Sequence, residues 1–313
     1  MVMNNKQIFL GHLTMDDIIY CDGTTYMGVL GGAALYAAVG ASVWGGETYI
    51  VSKIGQSYNY AELCRIALDR NINIDNIKFV DSHGLDIWVL YDKNNDHYFI
   101  PKYYSGKFDE IIPTFDMIPD YLLNRKNIFH ISPMPICCQK ELITYLRKKG
   151  CSITVDPHQE SCKYGELGEW EYIFKSIDVF FPSEIEFRLL SGDNMWLDWK
   201  CIAQFSRFYK IPILVLKMAE KGACMYLLER DEMYYIPAIR KQVTDCTGAG
   251  DAFAGGFIYS YIQDLNPVKA LLYATVSAAK VMGNLKVNNL IGERKASEDF
   301  LLSGCRKSIQ RIW

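Results

Sequence analysis

The chain has 313 residues, is 50% hydrophobic and 22% charged, and carries a formal net charge of −3. That is the composition of a globular protein with a large core, and its near-balanced charge carries no electrostatic footprint for nucleic acid or an anionic membrane surface. Ten cysteines fall in no zinc-type spacing; in a chain with so many core residues they read as reduced thiols, which points to the cytoplasm.

The opening stretch MVMNNKQIFLGHLTMDD has no basic region ahead of a long apolar run, so no signal peptide is expected. Residues 17–29 (DIIYCDGTTYMGV) alternate apolar and polar around an Asp-Gly turn and predict an antiparallel ribbon. Residues 27–46 carry no charge over a length that could span a bilayer, but they are rich in glycine and lean in Leu and Ile. They describe a Gly-Gly turn entering a small-residue helix packed on a sheet. A strand at 48–55 and a helix at 59–71, with Leu63, Ile66 and Ala67 at helical spacing, come next. Residues 84–104 alternate again around an Asn-Asn turn, so the two ribbons are expected to form a flap over one end of the main sheet. Further along, 127–132 predicts a strand, 137–150 a helix ending in basic residues and glycine, and 151–156 a strand ending in Asp-Pro. A strand at 177–183 runs into helical EIEFRLLSG, 211–217 is apolar enough for burial on both faces, and 270–283 is a small-residue helix. The alternation predicts an α/β fold: a doubly wound, mostly parallel sheet with helices on both faces, in one domain over 1–313 with lid segments at about 17–29 and 84–104.

The segment TDCTGAGDAFAGG, residues 244–256, carries the chemistry. Phe253, Phe257 and Tyr261 follow at helical spacing, so Gly248, Ala249 and Gly250 stand at a helix N-terminus. Unpaired N–H groups and the helix dipole favour an anion there. A Walker-type loop would end in Gly-Lys-Ser/Thr, yet Asp251 follows Gly250; a dinucleotide fingerprint would need a third glycine where Phe253 stands. Phosphoryl transfer accounts for the carboxylate, because it needs donors for the phosphoryl oxygens and a base for the nucleophile's proton. Gly248, Ala249 and Gly250 would form the anion hole and Asp251 would take the proton of a substrate hydroxyl. On these residues alone, Asp251 also reads as a first-turn acid stabilising its helix by roughly 0.3–1 kcal/mol.

DCTGAGDAFAGGF resembles the C-terminal signature of the ribokinase (PfkB-type) carbohydrate kinases, D-T-x-G-A-G-D-x-F-x-x-G, departing within the core only at Cys246. GHLTMDDII (11–19), GGAALYAA (31–38), VDPHQE (155–160), PSEIEF (182–187) and LKMAEKGA (216–223) resemble the family's other segments in the same order. The resemblance implies an α/β core with a β-lid and ATP-dependent phosphorylation of a hydroxyl on a sugar-like polyol. It places Asp16 on the opening strand, with Gly31, Gly32 and Tyr36 also at the acceptor. Ser183, Lys217, Ala219 and Gly222 fall beside the nucleotide, and Glu186 would organise Mg2+ through water. Asp245 and Thr247 fall near a monovalent cation such as K+. Departures weaken the match at Tyr36, Ser183 and His158, each standing for Asn, and at Lys217 and Ala219, which replace Thr and Gly. Lys217 is either a phosphate contact or a solvent-facing strand-end lysine.

The acceptor stays open. Tyr36, Trp88, Tyr98 and Tyr104 are the aromatic pocket candidates, and the scarcity of arginine in the ribbons argues against a phosphosugar, although Lys53 and Lys102 leave that option. A nucleoside kinase of the same fold is the nearest alternative; a non-catalytic sugar or nucleotide sensor is another, and an oxidoreductase has only the glycines in its favour. The apolar lid faces suggest a homodimer contact.

Overall fold

The computed structural model describes residues 5–93, 97–103, 110–163, 167–192, 198–239, 246–282, 302 and 308–313. In chain order these begin with β1 (Lys6–Leu10), the hairpin β2 (Thr14–Ile19) and β3 (Thr25–Gly31), α1 (Ala33–Ser42), β4 (Glu47–Ile54), α2 (Tyr60–Arg70) and β5 (Ile72–Phe79). A second hairpin, β6 (Asp86–Tyr91) and β7 (His97–Pro101), leads to β8 (Ile128–Ile131), α3 (Ile136–Lys148), β9 (Ser152–Val155), α4 (Leu167–Phe174), β10 (Val179–Phe180) and α5 (Glu184–Ser191). Next come α6 (Trp199–Tyr209), β11 (Ile213–Lys217), β12 (Ala223–Leu227), β13 (Glu232–Ile236), α7 (Ala249–Asp264), α8 (Pro267–Met282) and β14 (Gln310–Arg311).

The main sheet has the order β14-β13-β12-β11-β10-β9-β8-β1-β4-β5. From β5 to β11 every pairing is parallel, and β12, β13 and β14 extend the sheet antiparallel. That antiparallel edge has no counterpart in the sequence reading, because ACMYL of β12 is buried throughout and carries no alternation. The strand expected over 177–183 is correspondingly short, reduced to Val179 and Phe180. Successive side chains of the parallel strands enter opposite cores: Phe9, Ile50 and Val215 join α1, α2, α7 and α8, whereas Ile8, Val51 and Leu214 join α3, α4, α5 and α6. Burial on both faces is what makes these strands read as continuous apolar runs. The order reverses at β1, so the carboxyl ends of β1 and its neighbours form the switch-point crevice where α/β sheets bind ligands.

The uncharged stretch 27–46 becomes α1, buried on nearly all sides. Its backbone touches that of α7: a Cβ on Gly255 would lie 1.9 Å from the Ala37 carbonyl oxygen, and one on Gly40 would lie 2.3 Å from that of Ala252. This contact fixes two helix N-termini, those after Gly32 and Gly248, beside each other at the crevice. Among the described residues no helix is long and apolar enough to cross a membrane.

The two expected ribbons form a second, four-stranded sheet, β3-β2-β6-β7, in which antiparallel hairpins are joined by parallel β2–β6 pairing. Residues 94–96 and 104 lie outside the described residues. Asp16, expected on the opening strand, instead belongs to β2 of this sheet. Register places Asp16 beside Val29 and Ile87, and Ile18 beside Tyr26 and Val89, on one face. Asp17, Trp88 and Ile100 share the other face, where the Lys102 ammonium lies 2.5 Å from the Asp17 carboxylate.

Gly255→Ala should push α1 from α7 and cost about 1–3 kcal/mol in urea denaturation. Gly168→Ala in α4, where a Cβ meets nothing within 4 Å, should cost nothing. Equal stability of the two variants would contradict the close helix contact.

Candidate functional site

The site is assembled where strand ends face the start of α7. Gly248 caps that helix with φ of 72°, a left-handed conformation open to glycine. A Cβ there would lie 2.1 Å from Cγ of Tyr36, so the loop lies directly on the Tyr36 ring. Tyr36, expected as an acceptor contact, is only 3% exposed and forms the floor of the loop. Of the three expected anion donors, Ala249 gives its N–H to the Cys246 carbonyl at 3.1 Å. Its donor is therefore committed to the turn, whereas the N–H groups of Gly248 and Gly250 have no hydrogen-bond partner among the described residues. Asp245 lies outside the described residues.

Asp251 occupies the first turn of α7 and retains partial exposure, yet enough protein surrounds it that desolvation raises its pKa to about 6 against the pull of Lys217. The Glu186 carboxylate contributes to that rise. Asp156, after β9, is buried and ion-paired with Lys217 at the end of β11. The Lys217 ammonium would lie 3.5 Å from a Cβ on Gly250. Burial opposes its charge, but Asp156, Glu186 and Asp251 together hold it protonated, with a pKa above the ordinary value. The reading of Lys217 as a solvent-facing strand-end residue is thus corrected. Beside Lys217, burial drives the His130 imidazole down to about 3, so it is neutral at physiological pH, and burial lowers His12 likewise.

Ser183 and Glu186 form a capping box at α5: Glu186 Oε2 accepts the Ser183 N–H at 2.6 Å, and the Ser183 hydroxyl accepts the Glu186 N–H at 3.2 Å. The Lys217 N–H donates to the Pro182 carbonyl at 2.8 Å, which ties this helix start to the strand that delivers the ammonium. Ala219 and Gly222 form the turn between β11 and β12, Ala219 with φ of 48° and Gly222 close-packed against the Ile236 carbonyl.

On the other side of Tyr36, Gly31 lies against the Asp16 carboxylate and Gly32 caps α1. Two residues not anticipated from the sequence complete this side. Tyr58 is 8% exposed, its hydroxyl has no hydrogen-bond partner among the described residues, and burial together with the Asp16 charge raises its pKa. The Tyr91 hydroxyl lies 2.7 Å from that of Thr247 and so links the second sheet to the glycine loop. No local pattern marks either tyrosine, since their roles arise from long-range packing. Trp88 and Tyr98, expected in the acceptor pocket, stand on the outer face at 45% and 57% exposure. Lys102 is spent on Asp17 rather than left for a phosphate, and Tyr104 lies outside the described residues.

Residues 6–291 match the model of the pfkB family of carbohydrate kinases. A cytidine kinase of Thermococcus kodakarensis is 28% identical over 257 residues, covering 81% of this chain and 87% of its own. Among solved structures, a ribokinase of Giardia lamblia superposes with a TM-score of 0.77 at 14% identity, over 93% of this chain and 98% of its own. A candidate ribokinase II of E. coli in complex with ATP and Mg2+ does so with a TM-score of 0.76 at 19% identity, over 96% and 99%. These structures establish the ribokinase-like fold.

Tyr91→Phe removes the buried hydroxyl that meets that of Thr247, so it should cost about 0.5–1.5 kcal/mol in urea denaturation. An unchanged midpoint would show that the second sheet and the loop are not coupled through this bond.

Proposed function

The chain belongs to the pfkB family of carbohydrate kinases and is a phosphotransferase acting on an alcohol group; from that premise we propose that its acceptor is an uncharged, ring-bearing molecule of the nucleoside class. The observation that carries this choice is the face shared by Asp16. Ile18, Val29, Val89 and Tyr91 form its apolar cluster, with Tyr20, Tyr26 and Ile87 packed beside them. The buried cluster backs the half-exposed Tyr20, Tyr26 and Ile87, which could stack a flat base, and the lysine that would suit a phosphosugar is paired on the opposite side. The resemblance to a cytidine kinase agrees with this reading.

Asp16, Gly31, Gly32 and the Tyr58 hydroxyl hold the acceptor so that one hydroxyl faces Asp251, which accepts its proton. Gly248 and Gly250 direct their N–H groups at the phosphoryl oxygens, Ala249 stabilises the turn, and Tyr36 supports it from below. Ser183, Lys217, Ala219 and Gly222 line the ATP side. Among the described residues no group of three or more His, Cys, Asp or Glu side chains could hold a metal ion. Glu186 nonetheless has Oε1 to spare beyond its cap, a donor set that fits Mg2+ bound chiefly by phosphate oxygens and water. The ion would neutralise charge on the phosphates. K+ is assigned to the loop by resemblance alone: the Thr247 hydroxyl is engaged by Tyr91, so its carbonyl would be the remaining ligand alongside Asp245. The second sheet acts as the lid that excludes water, and its outer face, with Trp88, Tyr98 and Ile100, would seat a second copy of the chain. A non-catalytic sensor would not need a proton acceptor beside the anion site.

Magnesium-dependent ADP release across nucleosides, free sugars, polyols and phosphosugars tests the acceptor: a nucleoside should give the highest kcat/KM, and preference for a free sugar would overturn the class. With the preferred acceptor, kcat/KM should fall as pH drops through about 6, because protonated Asp251 cannot take a proton. A flat profile from about pH 5 to about pH 8 would remove Asp251 as the base.

A further inference from the structure

The glycine loop lacks the lysine that phosphate-binding loops commonly carry. The fold brings one to the same point from elsewhere. Lys217 ends β11, and its ammonium would lie 3.5 Å from a Cβ on Gly250, one residue from Asp251 and beside an N–H that has no partner among the described residues. We infer that Lys217 is a catalytic residue: its ammonium is stored on Asp156 in the free protein and engages the transferring phosphoryl oxygens when the donor binds.

Three features support the transfer of partner. One ammonium faces three carboxyl groups, Asp156, Glu186 and Asp251, so it has more acceptors than it can pair with at once when no phosphate is present. Burial keeps the His130 imidazole beside Lys217 neutral and holds His158, near Glu186, below its ordinary value, so neither lends it a cation. The backbone that carries Lys217 is fixed, through its N–H bond to Pro182 and the parallel bridge to Ser183, whereas the long side chain has rotamers to use. In the transfer, the acceptor oxygen forms the new P–O bond as its proton passes to Asp251. The bond from phosphorus to the β,γ-bridging oxygen breaks, and its electron pair leaves with ADP. Lys217 neither gains nor loses a proton; it offsets charge on the phosphoryl oxygens as that charge develops.

This inference rests on the kinase reading, and the test separates the two. Wild-type protein that turns over no acceptor would overturn both. Given an active wild type, Lys217→Met should lower kcat about 100- to 1,000-fold with the acceptor KM unchanged, as expected when one transition-state donor is lost. The double variant Asp156→Asn/Lys217→Met removes both charges and avoids an unpaired buried carboxylate, so it carries the test even where the single variant fails to fold. It should stay folded by thermal melt, still bind a non-hydrolysable ATP analogue and remain as inactive as Lys217→Met. Asp156→Asn alone, which keeps the ammonium, should hold kcat within about tenfold of wild type. Recovery of turnover in the double variant would show that Lys217 only neutralises Asp156 and would overturn the inference. So would full activity of Lys217→Met, or a loss in Asp156→Asn equal to that of the double variant.

Discussion

One ammonium set among three carboxylates at the start of a helix is the constraint around which this molecule is arranged. Lys217 pairs with Asp156 while its charge reaches Glu186 and Asp251. Each acid arrives on a separate element, behind β9, in the first turn of α5 and in the first turn of α7. A site built for phosphate would ordinarily exclude carboxylates. Here burial, with the Glu186 carboxylate adding to it, lifts Asp251 to about 6 against the pull of Lys217, near the pH at which a base can both be ionised and hold a proton. In the proposed reaction the anion would be met by backbone and by Lys217, which would leave the aspartate side chain for proton transfer.

Holding that arrangement requires two helices to meet without side chains between them. Gly40 and Gly255 allow the backbones of α1 and α7 into contact, and the Tyr36 ring then fills the space beneath Gly248. The proposed acceptor side and phosphate side are thereby parts of one packed unit. The Tyr91 to Thr247 bond extends the unit to the second sheet.

Much of this was legible in the sequence because it is local. The glycines, the helical spacing of Phe253, Phe257 and Tyr261, and the alternation of 17–29 and 84–104 each encode their structure within a few residues. What was not legible depends on distant packing. Nothing near Tyr58 or Tyr91 says that the first is buried within the field of the Asp16 carboxylate, or that the hydroxyl of the second meets that of Thr247. The first strand of the antiparallel edge, β12, was hidden because burial on both faces erases the alternation that marks such strands. Trp88 and Tyr98 were assigned to the pocket on aromaticity, yet a strand's two faces differ by a single residue of register, and pairing with β2 and β7 turned them outward. Lys217 read ambiguously for the same reason: its meaning lies in Asp156, which is 61 positions away.

The central claim is that Asp251 takes the acceptor's proton. Single-turnover transfer of labelled phosphate from ATP to the preferred acceptor, compared between wild type and Asp251→Asn, tests it most directly. The isosteric amide keeps the helix start and nucleotide binding intact, so ATP should bind as in wild type while the transfer step slows by about 100-fold or more. Transfer at the wild-type rate with ATP bound normally would contradict the account.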